Sequence, residues 1–173
     1  MKIAMKVLNS SLCAGVLLLS SASFAAEPIN GFRNYSFGTT FDEINSRLTL
    51  SEQETNDQNE TVFSASEKVA VGSHDYDLSF WFRDEALIQI NLSRSYDASS
   101  TFCIGDFDET FGAINARYGP ADSPPNKIDP LIMTADFTDA NGSSIKLLGA
   151  SFDELEKCFI HVAYRSGGSG GTF

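Results

Sequence analysis

The chain has 173 residues, with 12 basic and 23 acidic side chains and a net charge of −11. That balance excludes a nucleic-acid binder, whose phosphate-rich partner needs a basic face, and it disfavours anionic membrane surfaces. It leaves solubility or a basic partner as the reason for the charge.

Residues 1–25 read as a cleavable signal peptide. Lys2 and Lys6 precede a short apolar run from Leu12 to Leu19, and Ser23 and Ala25 occupy the two small-residue positions that signal peptidase requires. A membrane span needs roughly 20 apolar residues, more than this run supplies. Cys13 follows Leu12 and comes before the apolar run rather than after it, so no stable membrane anchor is expected. Cleavage takes 25 residues from 173 and leaves 148, with a charge of −13 once the two lysines are gone. The expected location is periplasmic or secreted. The expected organisation is a signal peptide over 1–25, a single domain over 26–165 and a flexible Gly/Ser tail over 166–173.

Phe-Asp-Glu occurs at 41–43, 107–109 and 152–154, preceded by Thr40, Asp106 and Ser151. Each cap residue with a Glu three positions on has the spacing of a capping box, so each predicts a helix start. This explains Asp108 and Glu109 without an acid/base or metal role. The first helix is expected over about 40–49, with Phe41, Ile44 and Leu48 on one side. Glu52 to Glu60 is acidic and lacks large apolar side chains, and reads as a mobile loop; Thr61 to Val71 is a weaker strand.

The period then becomes two. Tyr76, Leu78, Phe80 and Phe82 alternate with polar residues and Trp81, and Ile88, Ile90 and Leu92 alternate with Gln89, Asn91 and Ser93. Pairing Phe80 with Ile90 and Phe82 with Ile88 leaves Asp84 to Ala86 as a loop. In the second helix Phe107, Phe111, Ile114 and Tyr118 form a stripe that ends at Gly119-Pro120. Ser123-Pro124-Pro125 follows as a stiff linker. Met133, Ala135 and Phe137 then face Ile145 and Leu147 across an Ala140-Asn141-Gly142 loop, with Gly142 in the left-handed position. Cys158, Ile160, Val162 and Tyr164 share one face of the last strand. The fold class is α+β: two αβββ-like halves, with an antiparallel sheet and the helices packed on one face.

Phe37-Gly38-Thr39 before a capped helix, and Arg117-Tyr118-Gly119-Pro120 closing the second one, resemble small exported bacterial proteins. In outline the αβββ unit is similar to the β-lactamase-inhibitor-like and outer-membrane-assembly-lipoprotein folds. It departs from the latter in lacking their lipobox. The resemblance implies protein binding rather than catalysis and carries no family residue over.

Removal of the signal peptide leaves Cys103 and Cys158, and in an oxidising compartment an even pair is most simply a disulfide. A loop of roughly 55 residues makes it worth about 4 kcal/mol in the chain-entropy relation. A catalytic thiol needs a base, and His74 and His161 are the only histidines. Ser73-His74-Asp75 is no triad, because neighbours in a strand point to opposite faces. Asp139 opens like a calcium loop, but its twelfth position is Ala150 rather than an acid. No phosphate-cradling glycine loop, metal spacing or cofactor motif is present, so no metal and no cofactor is expected.

The candidate binding residues are Trp81, Arg83, Gln89 and His161. The alternation places Trp81 opposite Phe80 and Phe82, on a polar sheet face, where an exposed aromatic can anchor a partner. A covering loop, 51–60 or the Phe32/Tyr35/Phe37 stretch, is the competing expectation. His161 lies on the outer face of the last strand with no orienting partner in view. The functional expectation is a non-enzymatic envelope protein that binds another envelope or secreted protein, a basic one by charge complementarity, as an inhibitor, immunity factor or assembly accessory does. A carboxylate-based hydrolase of an envelope polymer and a small-molecule carrier are the alternatives.

Overall fold

The structure, a computed structural model, describes residues 26–129, 132–152 and 156–168, and for 127–129 the backbone only. The signal peptide, most of the third Phe-Asp-Glu box and the end of the tail lie outside those residues.

In chain order the elements are β1 (Gly31–Phe32), β2 (Tyr35–Ser36), α1 (Phe41–Asn45), β3 (Leu50–Thr55), β4 (Glu60–Ala65), β5 (Val69–Val71), β6 (His74–Arg83), β7 (Ala86–Asp97), α2 (Ser100–Tyr118), β8 (Asn126–Asp129), β9 (Ile132–Thr138), β10 (Ser144–Phe152) and β11 (Lys157–Arg165). The fold is α+β and built mainly of antiparallel sheet. The large sheet runs β3-β4-β6-β7-β11-β10-β9-β8, with β5 pairing the first part of β6 beside β4.

Period two decides which side of this sheet is dry. Phe63, Phe80, Ile90, Tyr164, Ile145 and Phe137 stand opposite one another across successive strands and so share one face. Both helices pack on that face. From α1, Phe41 reaches the Phe63 and Phe82 rings at 4.5 and 5.8 Å. From α2, Phe111 lies 5.7 Å from Phe137, while Phe107 packs over Gly149 of β10. Tyr76, Phe80, Phe107 and Ile145 are among the fully buried side chains. Each large apolar group removed from water contributes about 1.5–3 kcal/mol.

Several expectations are met residue by residue. Phe80 pairs with Ile90 and Phe137 with Ile145, and Gly142 takes φ +78°. Thr40 caps α1, its Oγ1 accepting from Glu43 N–H at 3.4 Å, while the Glu43 carboxylate turns to Arg47 at 2.7 Å. Gly119 ends α2, its N–H donating to the Asn115 carbonyl. Cys103 and Cys158 form the disulfide, with Cα atoms 5.4 Å apart and both residues buried.

Others need correction. Glu52 to Glu60 is not a loop: its first part lies in β3, an edge strand held by backbone bonds to β4 whose Ser51–Thr55 side chains all face water. The turn after β6 has two residues, Asp84 and Glu85, both at positive φ, and a bulge pairs Phe82 with Leu87 instead of Ile88. Two left-handed residues match the strand twist, which favours this shorter turn. Five strands follow α1 and four follow α2, where three were expected after each. Thr61 to Val71 divides into β4 and β5, and β8 after the Pro-Pro segment is new. The Gly/Ser tail begins tethered, with Ser166 N–H donating to the Ile88 carbonyl and Gly167 N–H to Ser143 Oγ.

Two stability outcomes follow from this packing. A Cβ at Gly149 would lie 2.8 Å from Phe107 and 2.9 Å from Met133, so Gly149→Ala is expected to cost about 1–3 kcal/mol through overpacking. An unchanged urea midpoint would show that helix and sheet can separate there. Replacing both Cys103 and Cys158 by Ser is expected to lower stability by about 4 kcal/mol. A loss below about 1 kcal/mol would mean that the bridge constrains the unfolded chain little.

Candidate functional site

The face opposite the helices is the first candidate. Its centre is closely packed: Val62, Gln89, Asn91 and Ala163 are buried, and the Arg165 side chain is only 12% exposed. Val62, Trp81, Gln89 and Arg165 stand side by side across β4, β6, β7 and β11. The next row holds Ser64, Ser79, Asn91 and Ala163, a floor of short side chains. Gln89 Nε2 donates to Asn91 Oδ1 at 2.9 Å along the same strand.

Trp81 is half-buried rather than open. It lines a groove of about 390 Å³ with Gln89, Arg165, Glu60 and the Asn56–Gln58 part of the β3–β4 turn. Sequence reasoning offered an exposed anchor or a covered ring, and the geometry is intermediate: the turn forms one wall and leaves the groove accessible. Glu60 fixes that wall. Its carboxylate is buried, accepts from Asn56 Nδ2 at 2.9 Å, pairs with Arg83 and lies 3.7 Å from Arg165. Such partners offset the water that a buried carboxylate gives up.

The four candidate residues therefore divide. Trp81 and Gln89 meet in the groove, and Arg83 sits beside it on Glu60. His161 shares the face but lies four residues along β11 from Arg165, roughly 13 Å away at strand rise. Its ring stacks on Phe159, with centroids 6.0 Å apart.

A second groove, of about 440 Å³, opens at the same end of the sheet on the helix side. Asp42, Glu52, Asp84 and Glu85 line it together with Phe41, Phe63 and Phe82. Aromatic rings rimmed by four carboxylates suit a cationic group.

The third constellation was missed by sequence reasoning. Asp106 is no cap: α2 begins six residues earlier, with Ser99 as N-cap, so the second Phe-Asp-Glu lies inside the helix. Asp106 and Glu109 then project from one helix face at i and i+3. They meet His74, the first residue of β6, with Nε2 3.4 Å from Asp106 Oδ1 and 3.8 Å from Glu109 Oε2. Asp106 Oδ2 accepts from the Tyr96 hydroxyl and lies 3.2 Å from Arg94 Nη1, a buried nitrogen at an angle that makes an ion pair and no hydrogen bond. Burial, followed by that bond to Asp106, raises the Tyr96 pKa well above its usual range, so the hydroxyl remains a donor. A groove of about 530 Å³ lined by Tyr96, Phe102 and Glu156 adjoins the cluster. The available signal was the i,i+3 pair of acids, legible only once the helix is extended back to Ser100. Ser73 Oγ lies 3.3 Å from His74 Nε2, because Ser73 belongs to the turn before β6 and is not held to the strand's alternation of faces.

Comparison with protein-family models, with curated proteins and with solved structures finds no match. Among the described residues no helix is long and apolar enough to cross a membrane.

Burial lowers the His161 pKa below its ordinary value. The folded chain then keeps this ring neutral at pH values where the unfolded chain protonates it. Stability is therefore undiminished above the unfolded value of about 6.5 and falls as pH drops from there toward the folded pKa. His161→Gln is expected to lessen the stability lost between about pH 7.5 and 5, read from urea midpoints. Parallel pH profiles for the two proteins would remove His161 as a source of acid sensitivity.

Proposed function

We propose that this is an exported, non-enzymatic protein of the cell envelope that binds another protein through the Trp81 groove on the sheet face opposite its helices. The observation that carries the reading is the Trp81 groove. An eight-strand path has its helices on one side, and on the other side the half-buried Trp81 lines an accessible groove with Gln89, Arg165 and the Asn56–Gln58 turn. Such an arrangement buries an aromatic anchor at little entropic cost while the short side chains around it admit a partner's surface.

The partner is basic. The net charge of −11 favours it, and so do Asp57 in the groove turn and Asp42, Glu52, Asp84 and Glu85 at the same end. Export rests on the order of charged, apolar and small-residue regions in residues 1–25, and the Cys103–Cys158 bridge supports an oxidising compartment such as the periplasm. The reading extends to two halves built alike. On either side of the β7–β11 pair the strands follow in reverse chain order, which supports an internal duplication.

Immobilised protein incubated with envelope extract is expected to retain a basic partner. Trp81→Ala should weaken that complex by about 2 kcal/mol, roughly thirtyfold in Kd, with folding preserved by circular dichroism. Equal retention by the variant would exclude the groove as the docking site.

A further inference from the structure

The geometry of His74, Asp106 and Glu109 points to a site for one divalent transition-metal ion of zinc's size and ligand preference. One imidazole nitrogen and two carboxylate oxygens lie within 4.8 Å of one another. Zinc bonds to nitrogen and oxygen are about 2.0–2.2 Å, which places neighbouring ligands of a tetrahedron about 3.4 Å apart. The observed separations from His74 Nε2, 3.4 and 3.8 Å, lie close to that edge length.

The surroundings are arranged as a ligand set requires. Asp106 gives Oδ2 to Tyr96 and Arg94, which orients the carboxylate and leaves Oδ1 directed toward His74. Anchoring a ligating carboxylate through its second oxygen is how proteins fix ligand geometry. Gly72 precedes His74 at φ +60°, and a Cβ there would lie 3.0 Å from Glu109 Oε1. A side chain at position 72 would thus be strained and would crowd the third ligand. Arg94 offsets one of the two acidic charges and leaves the other for a bound cation to neutralise.

Three protein ligands leave a fourth position open, the arrangement of zinc sites that bind an exogenous group. Solvent reaches the cluster, because the Glu109 side chain is 54% exposed and His74 and Asp106 line the groove of Tyr96 and Phe102. An imidazole with two carboxylates suits zinc and its neighbours, while calcium takes six to eight oxygens at longer range. The site lies on the helix side of the sheet, so it stands or falls independently of protein binding at Trp81.

Isothermal titration of the untagged, purified chain with zinc chloride tests the assignment, with calcium and magnesium chloride as comparators. The expected result is one zinc ion per chain, and at least tenfold weaker binding for His74→Gln and for Glu109→Gln. Both side chains are partly exposed, so circular dichroism and the intact disulfide can show that the variants fold. Cobalt(II) bound to the wild-type chain should give the visible absorption of a four-coordinate ion. Absence of zinc binding, binding that both variants retain unchanged, or equal affinity for calcium overturns the site.

Discussion

The ladder between β7 and β11 is the constraint on which the rest of the molecule depends. It joins nine residue pairs, from Gln89 with Arg165 to Asp97 with Lys157, across more than half a hundred residues of intervening chain. Its register assigns every side chain to a face. Ile90 with Tyr164 and Leu92 with Val162 enter the core, while Gln89 with Arg165 and Ser93 with His161 face outward. A slip of one residue would turn Arg165 and His161 toward the helices and Tyr164 and Val162 away from them. The disulfide reinforces that choice, since Cys158 stands opposite Tyr96 at the far end of the ladder and is tied to α2.

Both candidate sites inherit their geometry from this register. Cys103 fixes the first turns of α2 over β11, and Asp106, one turn further, arrives above Arg94 and Tyr96 of β7. The margin of the core there is ionic rather than apolar. Arg94 lies 4.0 Å over the Tyr96 ring and is paired with Asp106, an arrangement that recovers part of the cost of removing two charges from water. On the other face Glu60 plays the corresponding part. Without its carboxylate, Arg83 and Arg165 would lose a shared counter-ion and the Asn56–Asn59 turn would lose its tether.

What could be read from the chain was whatever local chemistry decides. Alternation gave the faces of β6, β7, β9 and β11, and with them the Phe80–Ile90 and Phe137–Ile145 pairs. Gly119-Pro120 marked the end of α2, and the pairing of Cys103 with Cys158 followed from their number. β3 escaped because an edge strand with all of Ser51–Thr55 in water has no apolar period to detect. The start of α2 escaped for a different reason. A sound capping pattern at Asp106 was overridden by tertiary contacts, with Cys103 drawn to Cys158 and Phe107 packed over Gly149. Misplacing that start also hid the cluster, because Asp106 and Glu109 read as capping residues and His74 lies more than 30 positions away in sequence.

The two faces thus divide the polar groups of the molecule by the work they can do. On the face opposite the helices Ser64, Ser79, Asn91 and Ala163 are short and stand in register, with Asn91 and Ala163 buried. Such a floor gives little affinity by itself, so recognition there must come from the Trp81 ring and the charges at its rim. The helix side holds its charges in a fixed, partly buried array, where orientation is set before any ligand arrives. Broad contact suits the first and point coordination the second. A partner seated in the Trp81 groove would leave His74, Asp106 and Glu109 uncovered, so the same chain could hold a protein on one side of its sheet and an ion on the other.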